Sequence, residues 1–223
     1  MSAALVPLLA FFLLVATLAV VLMWSRWRRL ARAQFIRSYE FPAGLLERLA
    51  AKRPGLADKD RYLAMRALRK FFLAYLNGGL KPVAMPSQVV DDLWHEFILY
   101  TRHYQAFCKQ AFGRFLHHTP AVVLSADRRT NAGLRRVWWH ACREEDIDPR
   151  SPARLPLLFA IDAKLGIADG FRYVPDCEAL RRNGDNTTHC GGDFSSTDAD
   201  GGTDGFGDSS DGGGGDGGGC GGD

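Results

Sequence analysis

The first 25 residues contain no charged side chain, and the stretch from Ala3 to Met23 is almost wholly apolar. Nothing else in the chain restricts the fold as much. As a helix this stretch spans roughly 31 Å, close to the hydrocarbon thickness of a bilayer. Trp24 and Trp27 fall where interfacial aromatics belong. Arg26, Arg28, Arg29, Arg32 and Arg37 then precede the first acid, Glu40. No Lys or Arg lies before the apolar run, so the positive-inside bias puts the N-terminus outside and the rest of the chain in the cytoplasm. The rival reading is a cleaved signal peptide, which needs a positive start and a small-residue cleavage site. Here the start is neutral and arginines follow the apolar run. The expectation is therefore a single-pass anchor in the inner (cytoplasmic) membrane of a bacterium, in contact with lipid through residues 3–23.

The net charge of +3 conceals an asymmetry. From Asn183 to Asp223 there are nine Asp, sixteen Gly and no Lys or Arg, so this tail carries −9 and the preceding residues +12. Such a tail cannot bury enough apolar surface to offset its ordering entropy and is expected to be disordered. Three regions follow: a membrane helix with its basic flank over 1–34, a soluble helical domain over 35–182 and an acidic Gly-rich tail over 183–223. Removing the two ends leaves about 145 residues, enough for one core. The five cysteines, Cys108, Cys142, Cys177, Cys190 and Cys220, form no C-x-x-C pair. Their odd count and wide spacing argue against a disulfide framework or zinc ribbon and fit reduced thiols.

The fold class expected is all-α. Leu45, Leu46 and Leu49 mark a short helix that stops near Pro54. Asp58 is a plausible N-cap for a second helix with the stripe Leu63, Ala67, Phe71 and Ala74, ended by Asn77-Gly78-Gly79. Pro86 opens the longest soluble helix, which runs to about Phe112 and forms the centre of the core. Its apolar stripe is Leu93, Phe97, Tyr100, Tyr104, Phe107 and Ala111. A fourth helix covers about Asp127 to Glu145 and buries Leu134, Val137, Trp138 and Ala141. A fifth starts near Pro156 and ends at Gly166. Ala121–Leu124 and Phe171–Val174 read as short strands.

The residues able to carry chemistry cluster in Asp91-Asp92-Leu93-Trp94-His95, then Tyr104, Cys108, Gly113 and Leu116-His117-His118. Asp91 lies one helical turn before His95, on a face with Gln88 and Arg102 turned away from the apolar stripe. An i,i+4 Asp–His pair can orient an imidazole, raise its basicity or hold a divalent metal. It can also be an ordinary local hydrogen bond on a polar face. Asp91 and His95 are thus the candidate catalytic residues, and His95 and His140 the candidate metal ligands. In a straight helix His95 and Cys108 stand roughly 20 Å apart, too far for one ion. A partner for His95 has to come from His140 or a loop. Cys108 could meet His117 or His118 only if Gly113 ends the helix and the chain turns back, and otherwise reads as a small buried hydrophobe. His117 and His118 also suit a helix exit facing the C-terminal dipole. Among Trp138-Trp139-His140, a partly exposed Trp would mark a docking surface. No phosphate-binding Gly loop, G-x-S-x-G or H-E-x-x-H motif occurs. The basic residues are scattered or explained by the membrane, which argues against nucleic-acid binding.

Val90-Asp91-Asp92-Leu93-Trp94-His95 with Tyr104, Cys108, Gly113, Leu116 and His117 or His118 resembles the D-x-x-W-H…Y…C…G…L-x-H pattern of the glycine-rich-domain-containing protein family. The similarity is to its bacterial membrane-anchored members, which pair an N-terminal hydrophobic segment with a helical domain and a Gly/Cys-rich tail. Leu155–Ala160 and Gly166–Phe171 are also similar to those members. The resemblance implies Trp94, Tyr104, Cys108, Gly113, His117 and His118 as the shared motif or binding surface, and brings no established reaction or cofactor. Two departures are plain. Plant relatives carry a second His where this chain has Phe97, and the tail here is poorer in Cys.

The expected function is a membrane-tethered interaction or scaffold module with an unidentified protein partner; no cofactor is identified, and a divalent metal is left open. The alternative is a metal-dependent or acid–base enzyme centred on His95 and Asp91, with Tyr104 set aside because it faces the core. A redox or metal sensor built on Cys190 and Cys220 is a third reading.

Overall fold

The fold is described from a computed structural model covering residues 5–118, 132–175 and 189–190. It is predominantly helical. In chain order the elements are α1 (Leu5–Ser38), α2 (Leu45–Lys52), α3 (Asp58–Asn77), α4 (Gln88–Leu99), α5 (Thr101–Phe112), α6 (Ala132–Glu144), α7 (Leu157–Lys164), β1 (Tyr173–Val174) and β2 (His189–Cys190).

Lacking charge and helix breakers after Pro7, the N-terminal run forms a helix long and apolar enough to cross a membrane. Its large apolar side chains from Leu8 to Met23 are 47% to 67% exposed, so among the described residues nothing covers them. The helix does not stop at residue 34. It continues to Ser38, and its last turns enter the core through Ala33 and the fully buried Ile36. The boundary drawn at 34 therefore falls inside one element. Arg29 donates to the Asn77 carbonyl at the end of α3 (2.8 Å), a cation at a helix C-terminus, and Arg37 pairs with Glu144 (2.8 Å).

The centre of the core is α3, not the segment after Pro86. Twenty residues long, α3 buries Ala64, Ala67, Leu68 and the whole run Phe71–Leu76, and it packs against α1, α2, α4, α6 and α7. Asp58 opens α3 without capping it; Ala57 is the N-cap and Asp58 pairs with Arg61 in the first turn. At the other end the left-handed turn sits at Gly79 (φ 72°) and, unusually for a leucine, at Leu80 (φ 59°).

The long helix expected over 86–112 is two helices. Ser87, not Pro86, begins the first by accepting from the Val90 amide (3.3 Å). Tyr100 (φ −79°, ψ 58°) then breaks the chain between α4 and α5. The physical reason is tertiary. The bend lets rings from both helices meet one cluster: Phe97 lies 5.2 Å from Tyr104 and 5.5 Å from Phe107, and Phe107 lies 4.9 Å from Phe72 of α3.

On α6, Leu134, Val137, Trp138 and Ala141 are buried as the periodicity required. Trp139 is buried too, beneath the Arg143 and Arg150 guanidiniums, so it does not offer the exposed docking ring. Gly166 (φ 65°) follows α7. Tyr173 and Val174 do form a strand, paired in parallel with His189 and Cys190 from the segment expected to be disordered. The rest of that segment, the start of the fourth expected helix, the strand at Ala121–Leu124, Cys177 and Cys220 lie outside the described residues.

Candidate functional site

The start of α4 is held rigidly. Asp162, buried on α7, accepts from the Ser87 hydroxyl (2.7 Å) and from the backbone amides of Gln88 (2.7 Å), Val89 (3.2 Å) and Phe171 (3.0 Å). These bonds satisfy the open amides of the first turn and fix the direction of the helix. One turn along come two adjacent carboxylates, Asp91 and Asp92, both under 9% exposed.

Asp92 faces α2. Lys52 Nζ lies 2.8 Å from it and Arg53 Nη2 2.6 Å, and Arg53 continues to Asp169 (2.5 Å). The two carboxylates hold the Arg53 guanidinium in its charged form.

Asp91 faces two imidazoles instead. His95 Nδ1 lies 2.9 Å from the Asp91 carbonyl oxygen and 3.3 Å from its Oδ2. His118 Nε2 lies 2.8 Å from Asp91 Oδ1, and the two rings are 4.0 Å apart. With Nδ1–H donated to the main-chain carbonyl, His95 presents the Nε2 lone pair, the usual arrangement in a metal-binding histidine. One donor atom from each of the three residues falls within 4.8 Å of the others. Ligand atoms at bonds of about 2.1 Å stand roughly 3.0–3.4 Å apart around one ion, so the 2.8 Å contact needs only a small opening. The Asp91 and His118 side chains are 8% and 11% exposed, while that of His95 is 44% exposed. The cluster therefore opens to solvent on the His95 side.

His118 reaches Asp91 because of what lies between. Gly113 (φ 74°) ends α5 in the left-handed conformation, and a Cβ there would lie 2.7 Å from the Arg32 guanidinium. The chain then turns back. Leu116 is buried, and its carbonyl accepts from the Tyr104 hydroxyl (2.6 Å), which in turn accepts from Trp94 Nε1 (3.2 Å). The Trp94 ring meets the His118 ring edge-on at 4.6 Å. Trp94, Tyr104, Gly113 and Leu116 thus form the frame that delivers His118. Burial pushes the Tyr104 hydroxyl well above its ordinary range and raises the Cys108 thiol, so neither is a proton donor or thiolate at neutral pH.

Three expected participants stand elsewhere. Cys108 is buried in the core, as a small hydrophobe would be, and among the described residues it joins no group of metal-binding side chains. His117 is exposed against Phe115 (4.8 Å). His140 lies outside the Asp91 group; burial, with Arg29, Arg143 and Arg136, pushes its pKa down to about 4. His95's partner is thus supplied by a loop. The sequence marked His118 as a helix exit or motif residue and missed its contact with Asp91. The available signal was the return at Gly113, weighed only for Cys108.

A family model described as UCP032817-like matches residues 31–194, well over half of the 223-residue chain. The chain belongs to the UCP032817-like family. No curated protein and no solved structure matches it. The UCP032817-like region begins in the second half of α1, and so takes in the turns of that helix that enter the core as well as the whole Asp91–His95–His118 cluster.

Proposed function

We propose that this chain is a single-pass membrane protein whose cytoplasmic helical domain binds a divalent transition metal through Asp91, His95 and His118. The observation that carries the reading is the convergence of two imidazoles on one buried carboxylate, from a helix and from a loop that a dedicated frame folds back. Nitrogen and oxygen donors of this kind suit zinc, iron or manganese better than calcium. Three protein donors leave room for water or a substrate, as in a catalytic site and unlike a closed structural one. The reading favours the enzyme alternative over an interaction module, because a carboxylate and two imidazoles converge at an opening to solvent. A metal-free acid–base role for the Asp91–His118 pair is the second reading, favoured by their 2.8 Å contact.

Support for the anchor comes from the uncovered apolar surface of α1 and from its uninterrupted passage into the core, which leaves no extended segment for signal cleavage near Trp24. The arginines behind the apolar run favour the N-terminus outside, in a bacterial inner membrane.

Elemental analysis of the full chain purified in detergent tests the metal site. Stoichiometric zinc, iron or manganese is expected in the wild type and in His140→Ala, with loss in His95→Ala and His118→Ala at unchanged helicity. Equal metal content in all four proteins would overturn the site. A metal-free wild type would leave the acid–base reading, with a carboxylate–imidazole pair as its basis.

A further inference from the structure

A second site lies where the apolar half of α1 meets the domain. A cavity of 290 Å³ opens between α1 and the C-terminal end of α3, lined by Ser25, Arg28, Arg29, Arg32, Leu76 and Leu80 among others. The four α1 residues follow the i, i+3, i+4, i+7 spacing and so share one face. Seven cations elsewhere, Arg37, Arg48, Lys52, Arg53, Arg61, Lys70 and Arg154, each meet a carboxylate, whereas Lys59, Arg66 and Arg102 stand singly at exposed positions. Among the described residues no carboxylate pairs with Arg28, Arg29 or Arg32.

These guanidiniums are also positioned. Arg29 donates to the Asn77 carbonyl (2.8 Å) and side-chain oxygen (3.3 Å). Arg32 lies against Gly113, where a Cβ would come within 2.7 Å of its Nη2. Arg28 stacks over Trp24 at 4.7 Å, at the level where interfacial aromatics sit. The opposite wall is apolar, and one of its leucines, Leu80, is held there by a left-handed backbone (φ 59°) that leucine rarely adopts. One turn beyond Ser25 toward the N-terminus, Val21 and Leu22 are more than half exposed.

We propose that this groove holds the phosphate of an anionic phospholipid, with Arg28, Arg29 and Arg32 as donors. The assignment rests on the membrane-anchored reading above. Three unneutralised guanidiniums call for a phosphate-type anion, which they can bind in forked, charge-assisted pairs. The choice of a lipid over free phosphate follows from the leucine wall and from the uncovered apolar helix surface that begins one turn away. A diester with acyl chains uses both features, and inorganic phosphate uses neither.

The test uses the full chain in neutral detergent, with dioleoylphosphatidylglycerol, dioleoylphosphatidylcholine and inorganic phosphate as probes and native mass spectrometry to count retained lipid. The expected result is retained phosphatidylglycerol that millimolar phosphate does not displace. Its affinity should fall on the order of a hundredfold in the triple variant Arg28→Gln/Arg29→Gln/Arg32→Gln. Lys59→Gln/Arg66→Gln/Arg102→Gln removes the same charge from exposed positions and should keep the lipid. Equal losses in the two triple variants would overturn the site, and displacement by phosphate would reassign it to a soluble anion. If the first triple variant fails to fold, Arg28→Gln alone should still lower affinity about fivefold. Flotation with pure phosphatidylcholine vesicles separates the two ideas. A wild type that floats without preferring phosphatidylglycerol loses only the headgroup site, whereas one that does not float loses the anchor as well.

Discussion

Asp91 and Asp92 are neighbours in the chain, equally buried, and on the same turn of α4, yet they face different worlds. Asp92 meets Lys52 and Arg53, a pair of cations from α2 and its C-cap. Asp91 meets His95 and His118, whose nitrogens can surrender a proton and offer a lone pair. A buried carboxylate must be compensated in either case. The difference lies in what the compensating groups can do next. Ammonium and guanidinium groups lock a helix pair together and exclude a metal, while imidazoles leave the site able to exchange a proton for an ion.

The sharpest way to break the contrast is reciprocal substitution. Asp91→Asn should lower metal affinity more than about a hundredfold, since even outer-shell partners of metal ligands cost 10–100-fold. Asp92→Asn should leave metal content unchanged and lower unfolding free energy by about 2 kcal/mol. That is below the usual cost of breaking a buried pair because Lys52 and Arg53 are partly exposed. Isothermal titration with zinc and urea unfolding read the two quantities. If both variants lose metal, or both lose only stability, the two faces are not distinct.

A smaller effect is expected at the frame. Tyr104→Phe removes the bond to the Leu116 carbonyl and the acceptor for Trp94, at a cost of about 1 kcal/mol. Because Tyr104 positions the loop and is not among the proposed ligands, metal affinity should fall severalfold at saturable stoichiometry. Loss of stability without any change in affinity would make Tyr104 purely structural.

The smallest effect tests whether imidazole character alone is enough. His140 is a histidine among fixed cations, with Arg29, Arg143 and Arg136 adding to burial to bring its pKa down from 6.5 to about 4. Between those values the unfolded chain binds the proton and the folded chain does not, so stability falls as pH drops through this window. The His140 contribution is on the order of 1 kcal/mol, once partial solvent access is allowed for. His140→Gln should therefore flatten the difference in unfolding free energy between pH 7 and pH 4.5. An unchanged pH slope would show that His140 is solvated in the folded state.

Much of this arrangement was legible in the residues. Helix spacing located α2, α3 and α7, the buried face of α6 including Trp138, and the end of α5 near Phe112. The Asp91–His95 pair was visible as an i,i+4 spacing on a polar face. The break at Tyr100 was not, because the apolar spacing of fours and threes runs unbroken through it and no Gly or Pro marks it. What bends the chain there is packing onto Phe72 and its neighbours, which only the tertiary structure contains. The same limit hid His118. A loop that folds back is held by one hydroxyl–carbonyl bond and one buried leucine, and neither has a sequence period.

α1 has a mechanical consequence. From Leu5 to Ser38 it is one rod of about 51 Å, with its far end wedged among Phe35, Ile36 and the rings they touch. A flexible tether would let the domain tumble beneath the bilayer. Here the helix runs unbroken into the core, so in the proposed membrane-anchored arrangement the domain follows the tilt of the rod.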